Sequence, residues 1–225
     1  FFQNVAMLWT AGGGATSLGV LAGATNSQAN GISADGTRVV GQTGGGLNEA
    51  FVWDSTNGMV GLGDLPGGTV SSAALSISDD GSTIVGRSNS ASGIEAFRWD
   101  AVNGMQGLGD LAGGSFFSEA ADISGDGSVV VGRSIGAAGQ RAFIWDASNG
   151  MRDLSIVLGT LGIDLTGWVL SDATGISADG LTIVGVGTNP SGVVEGFVAV
   201  IPEPGTALLM GLGLAGLAAG RRRSA

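Results

Sequence analysis

A repeat constrains this chain more than any other feature. Ala-Phe-x-Trp-Asp recurs at Ala50 to Asp54, Ala96 to Asp100 and Ala142 to Asp146, and Asn-Gly-Met follows each time, at Asn57, Asn103 and Asn149. Trp53, Trp99 and Trp145 therefore fall 46 residues apart. A second marker, Ile-Ser-x-Asp-Gly, spans Ile32 to Gly36, Ile77 to Gly81, Ile123 to Gly127 and Ile176 to Gly180, the last interval being lengthened to 53 residues. Weaker copies of the first marker sit at Met7 to Thr10 and Gly196 to Ala199. Self-similarity at this period restricts the fold to an array of like units, each burying its faces against its neighbours.

Within a unit the pattern is of short strands separated by turn residues. In the unit that starts at Ala50 they are Ala50 to Trp53, Met59 to Leu65, Ala73 to Ser78 and Thr83 to Arg87, read as one four-stranded antiparallel sheet. Asp54 to Gly58 links the first pair and Asp79-Asp80-Gly81 the second, while Leu65-Pro66-Gly67-Gly68 changes direction between the hairpins. Phe51 and Trp53 point to one face and Val52 to the other, so both faces are apolar. Such a sheet suits a blade packed between neighbours, and the expected fold is all-β: a β-propeller-like array of about four repeats, with a two-sheet sandwich as the alternative. If the blades run third, fourth, first, second strand, residues 31–65, 76–111 and 122–158 are whole. Residues 174–200 then lack a fourth strand, which Ser17 to Leu21 could supply. Phe1 in place of Met reads as a fragment or a processed form, so an open arc lacking amino-terminal units is the other expectation. Leu154, Val157, Leu158 and Leu161 are spaced for a short helix within residues 153–161, ended by Gly162, which with Trp168 varies the last unit.

Composition removes whole classes of chemistry. The chain has no Cys, His or Tyr, and its nine basic residues are all Arg. Disulfides, thiolate nucleophiles, zinc centres, Ser-His-Asp triads and Lys Schiff bases are unavailable. Six Arg against eighteen acids precede Ile201, a net charge of −12 that repels nucleic acid and leaves few cations to displace counterions from phosphates. No cofactor is expected.

After Val200 the character changes. Ile201-Pro202-Glu203-Pro204-Gly205 precedes an uncharged segment, Thr206 to Gly220, and then Arg221, Arg222 and Arg223. The segment is short of the ~20 residues that span a bilayer, but arginines can snorkel to extend it. The positive-inside preference then leaves the body, residues 1–200, on the far side of the membrane. Residues 201–223 resemble a PEP-CTERM sorting signal, with Pro202, Glu203 and Pro204 as the motif, residues 206–220 as a transmembrane helix and Arg221 to Arg223 as the terminal cluster. The resemblance implies recognition by an exosortase-type processing enzyme, transient anchoring in the inner membrane, cleavage near the motif, and delivery to the cell surface or exopolysaccharide matrix of a Gram-negative bacterium. Residues 5–200 resemble the extracellular HAF repeats, although the naming His is replaced by Glu49, Glu95 and Arg141.

Asp35, Asp80, Asp126 and Asp179 of the Asp-Gly turns are candidates for weak Ca2+ ligation. A Ca2+ site needs six or more oxygens, so the turn role is preferred and no metal centre is assigned. Trp53, Trp99 and Trp145 could stack on sugars, but their strand position favours the core. Asp64 and Asp110 have no identifiable facing acid, and a glycosidase needs two carboxylates at a set separation. No catalytic residue is therefore assigned. The expected function is an exported surface or matrix scaffold that binds exopolysaccharide or another surface protein; a glycan hydrolase or lyase on the same scaffold is the alternative.

Overall fold

The structure, a computed structural model, describes residues 4–202. They form an all-β chain of several antiparallel sheets with one short helix. A leading hairpin of β1 (Met7–Thr10) and β2 (Gly14–Ser17) precedes a first sheet of β3 (Asn26–Ile32), β4 (Arg38–Gly44), β5 (Ala50–Asp54) and β6 (Gly58–Gly61). The second sheet is β7 (Ser72–Ile77), β8 (Thr83–Asn89), β9 (Ile94–Asp100) and β10 (Gly104–Gly107). The third is β11 (Gly113–Ile123), β12 (Val129–Gly136), β13 (Gly139–Asp146) and β14 (Gly150–Asp153). One parallel bridge, Phe117 to Ile94, joins the second and third sheets. After α1 (Leu154–Thr160), the last sheet has three strands, β15 (Val169–Ile176), β16 (Thr182–Thr188) and β17 (Val194–Val200).

Each four-stranded sheet is thus a meander whose first strand leads into Ile-Ser-x-Asp-Gly and whose last strand begins at Asn-Gly-Met; the three-stranded last sheet keeps only the first of these markers. The grouping that starts at Ala50 is corrected: β6 and β7 do not pair, and the sheet boundary falls at Leu-x-Gly-Gly. Gly67 takes φ +88° there, a conformation that only glycine adopts cheaply, and the chain leaves one sheet to begin the next. The third-fourth-first-second strand order matches the observed sheets, but their bounds, 26–61, 72–107 and 113–153, lie four to nine residues before the expected 31–65, 76–111 and 122–158, because each first strand begins well ahead of its Ile-Ser-x-Asp-Gly turn. Ser17 to Leu21 does not complete the last sheet, however, because β2 pairs with β1 and β17 pairs only with β16 among the described residues. The reason lies in packing: Ala6 and Leu18, from the hairpin, cover Val39, Phe51 and Trp53 of the first sheet. Ala6 stands to Ser27 as Ala50 stands to Ser72, each donating its N–H to the serine hydroxyl, so β1 and β2 act as third and fourth strands of a preceding unit.

The core is distributed among the junctions. Val40 and Ala50 of the first sheet meet Ala74, Ile77, Ile84 and Phe97 of the second. Val85 and Ala96 meet Ala120, Ile123, Val130 and Phe143 of the third. At the third junction Leu154 and Leu158 of α1 join Val131, Ala142 and Ile144 against Ala173, Ile183 and Ala199. The helix begins at Asp153, whose carboxylate accepts the N–H of Ser155, and stops where Gly162 takes φ +83°. Phe51, Phe97 and Phe143 are fully buried, as the repeated Ala-Phe demands. Among the described residues the first and last sheets are covered less than those between them: Trp9 is 71% exposed where its counterpart Trp53 is 9%, and Val198 on the last strand is 69% exposed.

The repeated Val-x-Gly or Val-Gly of each second strand has a steric cause. A Cβ on Gly86 would enter the carbonyl oxygen of Ala73 on the neighbouring strand, and Gly41, Gly132 and Gly185 face Gln28, Glu119 and Asp172 in the same way. All four lie beside the irregularity where the first strand carries an extra residue. Gly86→Ala is expected to cost at least about 2 kcal/mol by forcing the two strands apart, measured as a lowered denaturant midpoint. Gly58→Asn, at a φ of +68° in an open turn, should cost far less because Asn tolerates that region.

Candidate functional site

The four Asp-Gly turns gather at one end of the array. The residue before each Asp carries a backbone ladder from turn to turn: Ala34 N–H to Asp79 O (3.0 Å), Asp79 N–H to Gly125 O (3.0 Å) and Gly125 N–H to Ala178 O (2.9 Å). Inside each turn the buried or half-buried serine does two jobs. Ser78 Oγ donates to Asp80 Oδ1 (2.6 Å) and accepts the N–H of Thr83 (3.0 Å). Ser33, Ser124 and Ser177 treat Asp35, Asp126 and Asp179 alike. Each Asp Oδ1 also accepts the N–H two residues on, of Thr37, Ser82, Ser128 or Leu181. The structure thus places the four candidate Ca2+ ligands in four separate turns, one per sheet, with Oδ1 already surrounded by donors. Among the described residues no group of three or more acids, Cys or His is placed to hold a metal ion.

The Trp-Asp turns form a second set on the outer strands. Asp54, Asp100 and Asp146 each accept the side-chain amide of Asn57, Asn103 or Asn149 and two backbone N–H groups. Trp53 is buried, while Trp99 and Trp145 are half-buried and pack into the first and second junctions. Of the remaining acids, Asp110 is raised above its ordinary value first by burial and then by the charge of Glu95.

Glu49, Glu95 and Arg141, the residues before each repeated Ala-Phe, have a role that single-position reading missed. Glu49 and Glu95 reach across Gly61 and Gly107, and their carboxylates accept the N–H of Gly63 (2.9 Å) and Gly109 (3.0 Å). In the third unit both partners change together. Arg141 replaces the Glu, Asp153 replaces the Gly opposite Phe143, and Arg141 Nε lies 3.8 Å from Asp153 Oδ2. The signal was the paired departure from the repeat, visible only when units are aligned strand by strand.

At the end opposite the Asp-Gly turns, hydroxyls clip one sheet to the next. Ser27, Ser72 and Ser118 accept the N–H of Ala6, Ala50 and Ala96 (3.0, 2.9 and 2.8 Å) and donate to the carbonyls of Gly19, Gly63 and Gly109 (2.6, 2.6 and 2.5 Å). Beyond them Glu119 binds two arginines from different sheets, Arg87 (2.7 Å) and Arg133 (2.9 Å), and Arg133 also lies 3.9 Å from Asp172. Between the first and second sheets the corresponding space is a polar cleft of about 280 Å3 lined by Gln42, Asn48, Ser71, Ala73, Arg87 and Asn89.

At the carboxyl end, Ile201 donates its N–H to Leu181 O (2.7 Å) and packs on the third junction, so the chain leaves beside the last Asp-Gly turn. Pro202 is the last described residue; Glu203, Pro204, the apolar segment 206–220 and Arg221 to Arg223 lie outside the described residues. Among the described residues no helix is long and apolar enough to cross a membrane.

Residues 200–223 match the PEP-CTERM protein-sorting motif. The motif implies an exported protein sorted by an exosortase, with a carboxy-terminal membrane-anchored signal that is cleaved. No curated protein matches the chain. Among solved structures, it is similar to a putative TolB from Agrobacterium tumefaciens at 17% identity and a TM-score of 0.46, over 84% of this chain and 62% of that one. The chain therefore spans less than two thirds of the length of that protein.

The turn carboxylates predict the response to acid. Asp35, Asp80, Asp126 and Asp179 are held below their ordinary value first by the serine hydroxyls, Asp54 and Asp100 first by the Asn amides, with Asp100 at about 2. A group with a depressed folded pKa contributes stability above its unfolded value, and that contribution is lost as pH falls through the folded one. Asp110 and Asp172, raised by burial, work in the opposite sense but are fewer. The melting temperature is expected to be level near neutrality and to fall as pH drops from about 4 towards 2, followed by circular dichroism. A rise over that interval would contradict the turn bonding.

Proposed function

We propose that this protein is a surface or matrix binding scaffold: a propeller-like arc of HAF-type units, exported, processed at Pro202-Glu203-Pro204 and retained outside the cell without catalysis. The sorting motif at residues 200–223 carries the reading. Its supports in the body are architectural. Successive sheets pack front to back with their Asp-Gly turns joined by a backbone ladder, which is how blades sit around a common axis. Units of near-identical sequence offer repeated shallow surfaces, and linked weak sites gain retention through effective concentration.

A glycan hydrolase or lyase would need distinctive polar groups converging on one place. Seven of the eighteen acids before Ile201 belong to the repeated Asp-Gly and Trp-Asp turns, where their oxygens receive serine, Asn or backbone donors. The body is strongly acidic, so a neutral or cationic polymer suits it better than an anionic one.

Intact-mass measurement of the protein recovered from its native surface tests the sorting reading. The expected mass lacks the segment that carries Arg221 to Arg223, and exported material that retains those arginines throughout would refute processing. Incubation with neutral polysaccharides is expected to give retention without release of reducing ends or unsaturated products. Turnover that vanishes on replacing one or two carboxylates would favour the enzyme instead.

A further inference from the structure

We infer that the cleft between the first and second sheets is a binding site for a neutral sugar unit, which gives the scaffold reading above, on which this inference rests, a specific place of attachment. The cleft arises from a departure from the repeat. At the later junctions the gap beside the innermost strand is closed by charge: Glu119 lies across from Arg133 on its own sheet and is reached by Arg87 from the sheet before, while Asp172, at the matching place in the last sheet, lies near Arg133. At the first junction the two closing positions are different. Ala73 occupies the place of Glu119 and Asp172, across from Arg87, and Gln42 occupies the place of Arg87 and Arg133 on the preceding sheet. Removing the acid and shortening its partner leaves the cleft of about 280 Å3, just under the ~300–1,000 Å3 of ordinary ligand pockets.

The lining selects the ligand class. Three side-chain amides, Gln42, Asn48 and Asn89, line the cleft with the hydroxyl of Ser71, and each can both donate and accept, as the hydroxyl groups of a sugar ring do. The amides of Gln42 and Asn48 have no protein hydrogen-bond partner among the described residues, whereas Asn89 donates to Thr69 Oγ1 (2.8 Å). Ile94 adds an apolar wall for ring C–H groups. No acid lines the cleft, which disfavours a cation. Its single cation, Arg87, is already bonded to Glu119, which leaves too little free positive charge for a phosphate or a polyuronate against the field of an acidic body. Thr43 and Ser88 are committed, to Leu47 O and to the N–H of Leu65, and hold the walls in place.

Titration calorimetry of the full chain with soluble neutral glucan and mannan oligosaccharides, and an oligouronate as charged comparator, tests the site. A neutral oligosaccharide is expected to bind, Gln42→Ala and Asn48→Ala are each expected to weaken it roughly three- to tenfold, as loss of one hydrogen bond does, and the oligouronate is expected not to bind. Ala73→Glu restores the acid found at the later junctions. It is expected to abolish binding while leaving the melting temperature unchanged or raised, which separates filling of the cleft from unfolding. Wild-type affinity in Ala73→Glu, binding of the oligouronate alone, or no binding of any neutral oligosaccharide would overturn the assignment. Retention on a neutral polysaccharide that survives Ala73→Glu would keep the scaffold reading and reject this site, and the intact mass of the exported protein is independent of either result.

Discussion

A small, glycine-rich sheet with two apolar faces is unstable until both faces are covered, and everything else in this protein follows from that requirement. Each four-stranded meander presents a buried Phe and aliphatic residues on its front and a Val with an Ala on its back. One such sheet has nowhere to bury both sets. Stacking front on back solves the problem as many times as there are units, and the solution is local enough that sequence can repeat with little change. The valines exposed on the last strand and Trp9 on the first hairpin show the same surfaces uncovered among the described residues.

Apolar burial is not directional, so something else must fix how one sheet sits on the next. The hydroxyls do this. Ser72 and Ser118 each satisfy an N–H and a carbonyl of the preceding unit, and Arg38 adds a bond to the carbonyl of Gly81 (2.8 Å) across the first junction. Buried serines inside the Asp-Gly turns satisfy backbone groups that would otherwise be stranded, and an unsatisfied buried polar group costs about 1–3 kcal/mol. The abundance of Ser, Gly and Asp is therefore a consequence of tight backbone-to-backbone approach, and it explains why so few of the acids are free to act on a ligand.

Regularity also makes departures informative. Where the repeat is kept, side chains serve the fold: the Glu of Glu49 and Glu95 caps backbone N–H groups over a glycine, and the exchange to Arg141 with Asp153 keeps a polar contact in another form. Where the repeat is broken without such an exchange, as at Gln42 and Ala73, space opens. On the reading proposed above, a chain of this kind would acquire binding by omitting a structural contact from one junction, since the surrounding junctions already hold the array together. The sorting motif at residues 200–223 supplies the setting in which such a site would meet a polymer.

The strands, the hairpin turns, the helix near Leu154 and the tail were legible in the sequence because each depends on neighbours a few residues away: alternation, Asp-Gly and Asn-Gly turns, i to i+4 spacing and the order Pro-Glu-Pro, apolar segment, arginines. The buried place of Phe51 and Trp53 could be read for the same reason. Which strands share a sheet could not, because in a tandem repeat every cyclic choice of four strands has the same local pattern, and only the absence of pairing between β6 and β7 set the boundary at Leu-x-Gly-Gly. Nor could the sequence say that the leading hairpin covers Phe51 and does not complete the last sheet, since both placements bury similar side chains. The candidate site was least legible of all. Gln42, Ala73 and Arg87 are far apart in the chain and unremarkable in composition, and they define a cleft only because packing of one sheet on another brings them to a single gap that a missing acid leaves unfilled.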